Sequence, residues 1–167
     1  PLVIPPLLQA LEDEDRRVSE TAYMGLLRQC IRDPTFAVSL WKSVQGESSR
    51  AQSLSSLDAE EQALFQEGLA LMDQAKWEEA LALFDRIIDA GSELGDAYFQ
   101  RAQALYFMGD YDGCLRDCQE TLRRTESHFG ALMFAGACYV QQSKTVSYLA
   151  CDAFSRAFAV HMSLDFI

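Results

Sequence analysis

The sequence predicts an all-α protein: three helix–turn–helix pairs stacked as an α-solenoid, preceded by a short N-terminal helical segment. Three observations carry that expectation. From Glu61 to the end of the 167-residue chain there is no proline, so helices can run uninterrupted between short turns. Over the same stretch, large and small apolar residues recur with a period of 34. Before it, residues 1–45 carry helical apolar spacing punctuated by Pro1, Pro5, Pro6 and Pro34.

The N-terminal segment divides at its prolines. Pro6 suits the first turn of a helix, where its missing N–H costs nothing, and LLQALEDED follows as a short helix. Val18, Ala22, Met24, Leu26, Leu27, Cys30 and Ile31 give helical spacing across the next stretch. Asp33-Pro34 stops that helix, because a residue before proline avoids the α region. FAVSLW then reads as a third helix. Residues 46–57 are rich in serine without an apolar face, a linker composition. Asp58 with Glu61 three residues later forms a capping-box-like helix start.

The periodicity is legible residue by residue. Leu64, Tyr98 and Leu132 align as large residues, and Gly68, Ala102 and Gly136 as small ones. Trp77 and Tyr111 align as the aromatics opening each second helix; Ala80 and Cys114 follow as small residues. Phe84 and Cys118 come next. The third copy joins the register with two residues inserted near 144–147, which brings Ala150, Phe154 and Ala157 into place. Small positions let the helices of a pair approach closely, and large ones fill the space left. One pair cannot bury its apolar stripe alone, so neighbours stack into a curved array with a concave face.

Residues 61–164 resemble three tandem tetratricopeptide repeats (about 61–94, 95–128 and 129–164) on the stretches GLALMDQAKWEEALALF, AQALYFMGDYDGCLRDC and GACYVQQSKTVSYLACDAF. The resemblance implies a right-handed solenoid. RRTESHFGAL and FAVSLWKSVQGES are similar to bacterial-type repeat proteins that also occur in organelles. PLLQALEDEDRRVSETAYMGLL resembles one copy of a HEAT motif. The chain departs from the repeat pattern in lacking a proline at each repeat's end and in having Ser147 where an aromatic is expected.

Composition narrows the function. The net charge is −11, and residues 61–167 contribute most of it, with 8 basic and 16 acidic groups. Such a surface repels phosphate backbones and anionic lipid, which makes nucleic acid and membrane surfaces poor partners. The longest apolar runs, LVIPPLL and FGALMFAGACYV, are too short or too proline-broken to span a bilayer. Five cysteines, an odd number lying within apolar stretches, read as reduced thiols in an intracellular compartment; cytoplasm, chloroplast and mitochondrion remain open. The opening PLVIPP, without an initiator Met, reads as the interior of a longer or processed chain.

No residue set suggests catalysis. Cys114 and Cys118 stand at i and i+4, a spacing that can supply two metal ligands, with His128 as the nearest further candidate. The competing reading, that both thiols are packing residues of the repeat core, is preferred. His128, in a turn, and His161, near the end of the last helix, lack a nucleophile and an orienting acid, so they read as surface or capping residues. No phosphate loop, zinc-protease helix or nucleophile elbow is present. The chain therefore reads as a non-enzyme without metal or cofactor.

In the resembled family the first helix of each pair lines the groove. Carried over, the groove positions are Phe65, Leu69 and Met72, then Phe99, Gln103 and Tyr106, then Met133, Ala137 and Val140. Chaperone-binding members hold a C-terminal carboxylate with Lys, Asn and Arg. The matching positions here are Phe65, Leu69, Gln100, Gly130 and Phe134, which offer that carboxylate no cation. An apolar groove of this kind binds an amphipathic helix or extended peptide of a partner, or is filled by the chain's own N-terminal helices. The expected function is a protein-binding adaptor or scaffold; the alternative is a permanent subunit or assembly factor of a large multiprotein complex, in an organelle or elsewhere. A thiol-based metal or redox protein is the third class. The tail residues Leu164, Phe166 and Ile167 are expected to contact another protein, another copy, or the folded-back N-terminal segment.

Overall fold

A computed structural model describes residues 4–11, 13, 15–44, 58–91, 94–143 and 148–164, and every regular element among them is an α-helix. The serine-rich 46–57 stretch, the insertion at 144–147 and the tail residues Phe166 and Ile167 lie outside the described residues. The helices are α1 (Ile4–Leu11), α2 (Arg16–Arg32), α3 (Pro34–Val44), α4 (Ala59–Asp73), α5 (Trp77–Asp89), α6 (Gly95–Met108), α7 (Tyr111–Arg124), α8 (Phe129–Gln142) and α9 (Tyr148–Leu164). They group into two compact units, Pro1–Val44 with Ser127–Ile167, and Gln45–Glu126. This partition differs from the chain-order zones expected above, because α2 and α3 pack on α8, and α2 also on α9.

Helix boundaries follow local chemistry. Pro34 both ends α2 and opens α3, and Asp33 serves the junction by accepting the Thr35 backbone N–H at 2.9 Å. The Asp58–Glu61 capping box forms as expected: Asp58 accepts the Glu61 N–H at 2.8 Å while Glu61 reaches back to the Asp58 N–H at 3.2 Å. His128 caps α8, its Nδ1 accepting the Ala131 N–H at 3.0 Å. The α4–α5 and α6–α7 turns both require a left-handed residue. Gly109 supplies it at φ 87°, but Ala75 takes φ 57° at the equivalent position, 34 residues earlier.

In the 45–126 unit, α4 pairs with α5 and α6 with α7, while α6 also packs on α5. Its best-defined contact is a missing methyl group. A Cβ placed on Gly68 would stand 2.7 Å from Phe84 Cζ, so the buried ring occupies the volume that any other residue would need. Phe65 meets the same ring edge-on, with centroids 5.8 Å apart. In the other unit the relation recurs: a Cβ on Gly136 would lie 2.6 Å from Phe154 Cε1. The residues at the corresponding positions of the second pair are Ala102 and Cys118, and both are fully buried.

Within the Pro1–Val44 and Ser127–Ile167 unit, α8 is the centre. All nine residues from Gly130 to Cys138 are buried, so the helix is enclosed on every side rather than along one stripe. Trp41 of α3 meets Phe134 edge-on at 5.1 Å, and Tyr23 of α2 meets Phe158 of α9 at 5.7 Å. On α2 itself the inward face is Ala22, Leu26 and Cys30; Val18 and Met24, grouped with them by spacing alone, are exposed.

Two outcomes are expected. Gly68→Ala should lower stability by about 1–2 kcal/mol, since overpacking costs roughly 1–3 kcal/mol and alanine's helix preference returns up to about 1. Chemical denaturation of a Gly68→Ala, Phe84→Leu cycle should then show a double variant less destabilised than the two singles summed. Ala75→Gly should instead raise stability by about 0.5–1 kcal/mol by removing the strain of a left-handed alanine, read as a higher denaturation midpoint.

Candidate functional site

The positions expected to line a groove lie mostly inside the units. On α4, Phe65 and Met72 are buried in one cluster with Phe84, Ile87 and Ala97, and Leu69 packs against it half-buried. On α6, Phe99, Gln103 and Tyr106 are all buried, with the Gln103 amide donating to Gln100 Oε1 at 2.9 Å. On α8, Met133 and Ala137 are fully buried and Val140 is half-buried. Helices α2 and α3 lie against α8, so the chain itself covers the helix that carries the third group. Among the nine positions, only Leu69 and Val140 keep a partly accessible side chain. Leu164 ends α9 with its side chain outside the description, as are Phe166 and Ile167.

The most extended polar constellation among the described residues has no signature in sequence spacing. Arg101 of α6 donates through Nε and Nη2 to both carboxylate oxygens of Asp117 on α7, each at 2.7 Å. Its Nη1 donates to Asp85 of α5, also at 2.7 Å. One guanidinium therefore ties three consecutive helices. Asp117 hydrogen bonding, then Asp85, drives the Arg101 pKa further up, against a burial penalty of opposite sign. Asp117 is 6% exposed with both oxygens committed to Arg101, which leaves it unfit to act as a general base. Thr121, fully buried, reaches the Gly95 carbonyl at 3.2 Å and the Asp117 carbonyl at 2.9 Å. A search by spacing alone misses this set, because Asp85, Arg101 and Asp117 are 16 residues apart in each step and no helical period links them.

A second cluster sits beside it. Tyr98 lies under two guanidinium groups, Arg124 at 4.5 Å and Arg101 at 5.6 Å from the ring centroid. Arg124 also pairs with Glu120, as does Arg123. Hydrogen bonds from Arg123 and then Arg124 hold the Glu120 carboxyl down at about 2. Its pKa is lowered on folding, so whatever it contributes is complete above the ordinary value of 4.5 and is lost as the pH falls toward 2.

The thiols pack. Cys114 and Cys118 are fully buried with their Sγ atoms 3.9 Å apart, and among the described residues no group of three or more His, Cys, Asp and Glu converges as metal ligands. Burial, with the Asp33 charge adding, pushes the Cys30 thiol up to about 12, which removes its nucleophilic thiolate at neutral pH. Cys151 alone among the five is half-exposed.

Large apolar side chains do reach the surface elsewhere. Trp77 stacks on Phe107 with centroids 4.5 Å apart and planes at 19°, and Phe107 and its neighbour Met108 are exposed. On α2, Met24 is 46% exposed. No described helix is long and apolar enough to cross a membrane.

Arg101→Leu should cost about 2–4 kcal/mol, because it strands a buried Asp117 carboxylate, while Arg101→Leu with Asp117→Leu should recover most of that loss. Urea denaturation of the two variants beside the wild type checks it. Equal losses in the single and double variants would mean that the arginine's packing, not its charge, matters.

No protein-family model and no curated protein matches the chain, so its functional reading rests on its own residues.

Proposed function

We propose that this chain is a non-enzymatic protein–protein interaction adaptor or scaffold, built from three tetratricopeptide-type repeats in a right-handed solenoid. One observation carries the reading: the glycine that receives a phenylalanine ring recurs. Gly68 and Gly136 stand two 34-residue periods apart, and Phe84 and Phe154 stand two residues further apart than that, matching the two-residue insertion. The left-handed turn at Ala75 and Gly109 repeats at the same period. Arrays of such pairs serve as surfaces for other proteins rather than as reaction centres. Leu69 and Val140 are the groove positions where a partner's apolar side chain gains most, since both are partly accessible. Five cysteines without a disulfide between them fit a reducing compartment, cytoplasmic or organellar.

A second reading, a permanent subunit or assembly factor of a larger complex, is favoured by one observation: the exposed large apolar residues Met24, Phe107, Met108, Tyr148 and Leu149. Affinity capture from native extract separates the two. An adaptor should retain a stoichiometric protein that Leu69→Glu or Val140→Glu releases, with helical circular dichroism unchanged. A permanent subunit should aggregate when purified alone and should keep its neighbours through both substitutions. Recovery of no stoichiometric protein by a soluble wild-type chain would sink both.

A further inference from the structure

We propose that the exposed face of α2 docks on the Trp77–Phe107 patch of a second copy of this chain. The proposal is independent of the groove reading above. It begins with Gly25, in the middle of the 17-residue α2. A glycine there weakens the helix, and a Cβ on Gly25 would meet nothing within 4 Å. Gly68 and Gly136 give their missing methyl volume to a phenylalanine ring of their own chain; Gly25 gives it to open solvent. A close approach from outside is the physical use such a gap has.

What surrounds Gly25 defines the visitor. Met24 projects into solvent beside it. Arg17, Met24, Arg28 and Arg32 recur at i+7, i+4 and i+4, which places them along one stripe of the helix. The three arginines are exposed and make no ion pair among the described residues. A flat spot with one flexible thioether, flanked by cations, fits an aromatic ring edged by carboxylates.

That complement is present in the same chain. Phe107, stacked on Trp77, is exposed together with Met108. Asp73, Glu78 and Asp110 are exposed within four residues of these rings in sequence. Charge is divided accordingly. The Gln45–Glu126 unit holds 7 basic and 17 acidic residues, net −10, whereas Pro1–Val44 with Ser127–Ile167 holds 7 and 8, net −1. Two chains of net charge −11 repel in most orientations. Bringing the α2 stripe of one to the acidic aromatic patch of the other is the pairing that charge favours.

Sedimentation equilibrium of the full chain tests this. The wild type should associate at low salt and dissociate as salt rises, since screening shortens from roughly 10 Å at 0.1 M to 3 Å at 1 M. Gly25→Ala should raise the melting temperature yet weaken association, and Gly25→Gln should abolish it. A purely structural glycine would not move the two readouts in opposite directions. Arg28→Glu and Glu78→Arg should each weaken association about tenfold, and the two together in one chain should restore it. Phe107→Ala should also weaken it, with helical content unchanged. A monomer at every concentration and salt, or an association indifferent to Gly25 and Phe107, overturns the proposal. So does a monomer whose patch binds only an unrelated basic peptide.

Discussion

A phenylalanine ring set where a glycine has no side chain fixes how closely the helices of a pair approach. Phe84 fills the slot at Gly68, and Phe154 fills the slot at Gly136. Both rings are fully buried, and interiors are packed densely enough that one added methyl cannot be absorbed without movement. The other packing positions follow from that separation. Ala80 and Ala150 are fully buried small residues on the facing helices, and Phe65 can reach the edge of the Phe84 ring because α4 and α5 lie so close. Where the glycine becomes alanine, at Ala102, the residue at the ring position is the smaller Cys118, and both are fully buried.

Close packing leaves little room for polar groups, which explains the form of the Arg101 network. Asp117 would be costly to bury alone; the Arg101 fork satisfies both its oxygens and extends to Asp85 on the next helix over. The arginine remains partly solvated, which limits its own desolvation penalty. Its effect is directional: apolar contacts tolerate a helix sliding or rotating, whereas three hydrogen bonds from one planar group to two helices do not. The network sets the mutual register of α5, α6 and α7 and engages both oxygens of Asp117, the best-buried acid among the described residues.

The thiols and the histidine show the same economy of role. Cys114 and Cys118 are fully buried where the 34-residue period has Ala80 and Phe84, and His128 commits its Nδ1 lone pair to a helix N-terminus. Chemistry-bearing residue types are thus used for packing and capping. The surface is where the chain departs from compact self-sufficiency, with a stacked aromatic pair on one unit and an exposed methionine beside a bare glycine on the other.

Local chemistry determined much of this in advance. The capping box at Asp58, the stop at Pro34, the left-handed Gly109 and the glycine–phenylalanine alternation are each written within one turn or one period of sequence, because they depend on steric and hydrogen-bond limits of a few neighbouring residues. Tertiary structure alone decided which face of each apolar helix turned inward. Phe65, Phe99 and Met133 suit a groove or a core equally by composition, and small rotations of a helix choose between them. It also decided that α2 and α3 cover α8, a pairing of segments roughly a hundred residues apart that no period encodes. The unbroken apolar run from Gly130 to Cys138 is a trace of it in sequence, since a helix apolar on every side must be covered on every side. Arg101, Asp85 and Asp117 likewise acquire meaning only when three helices bring them together, because attraction between charges depends on distance in space and not along the chain.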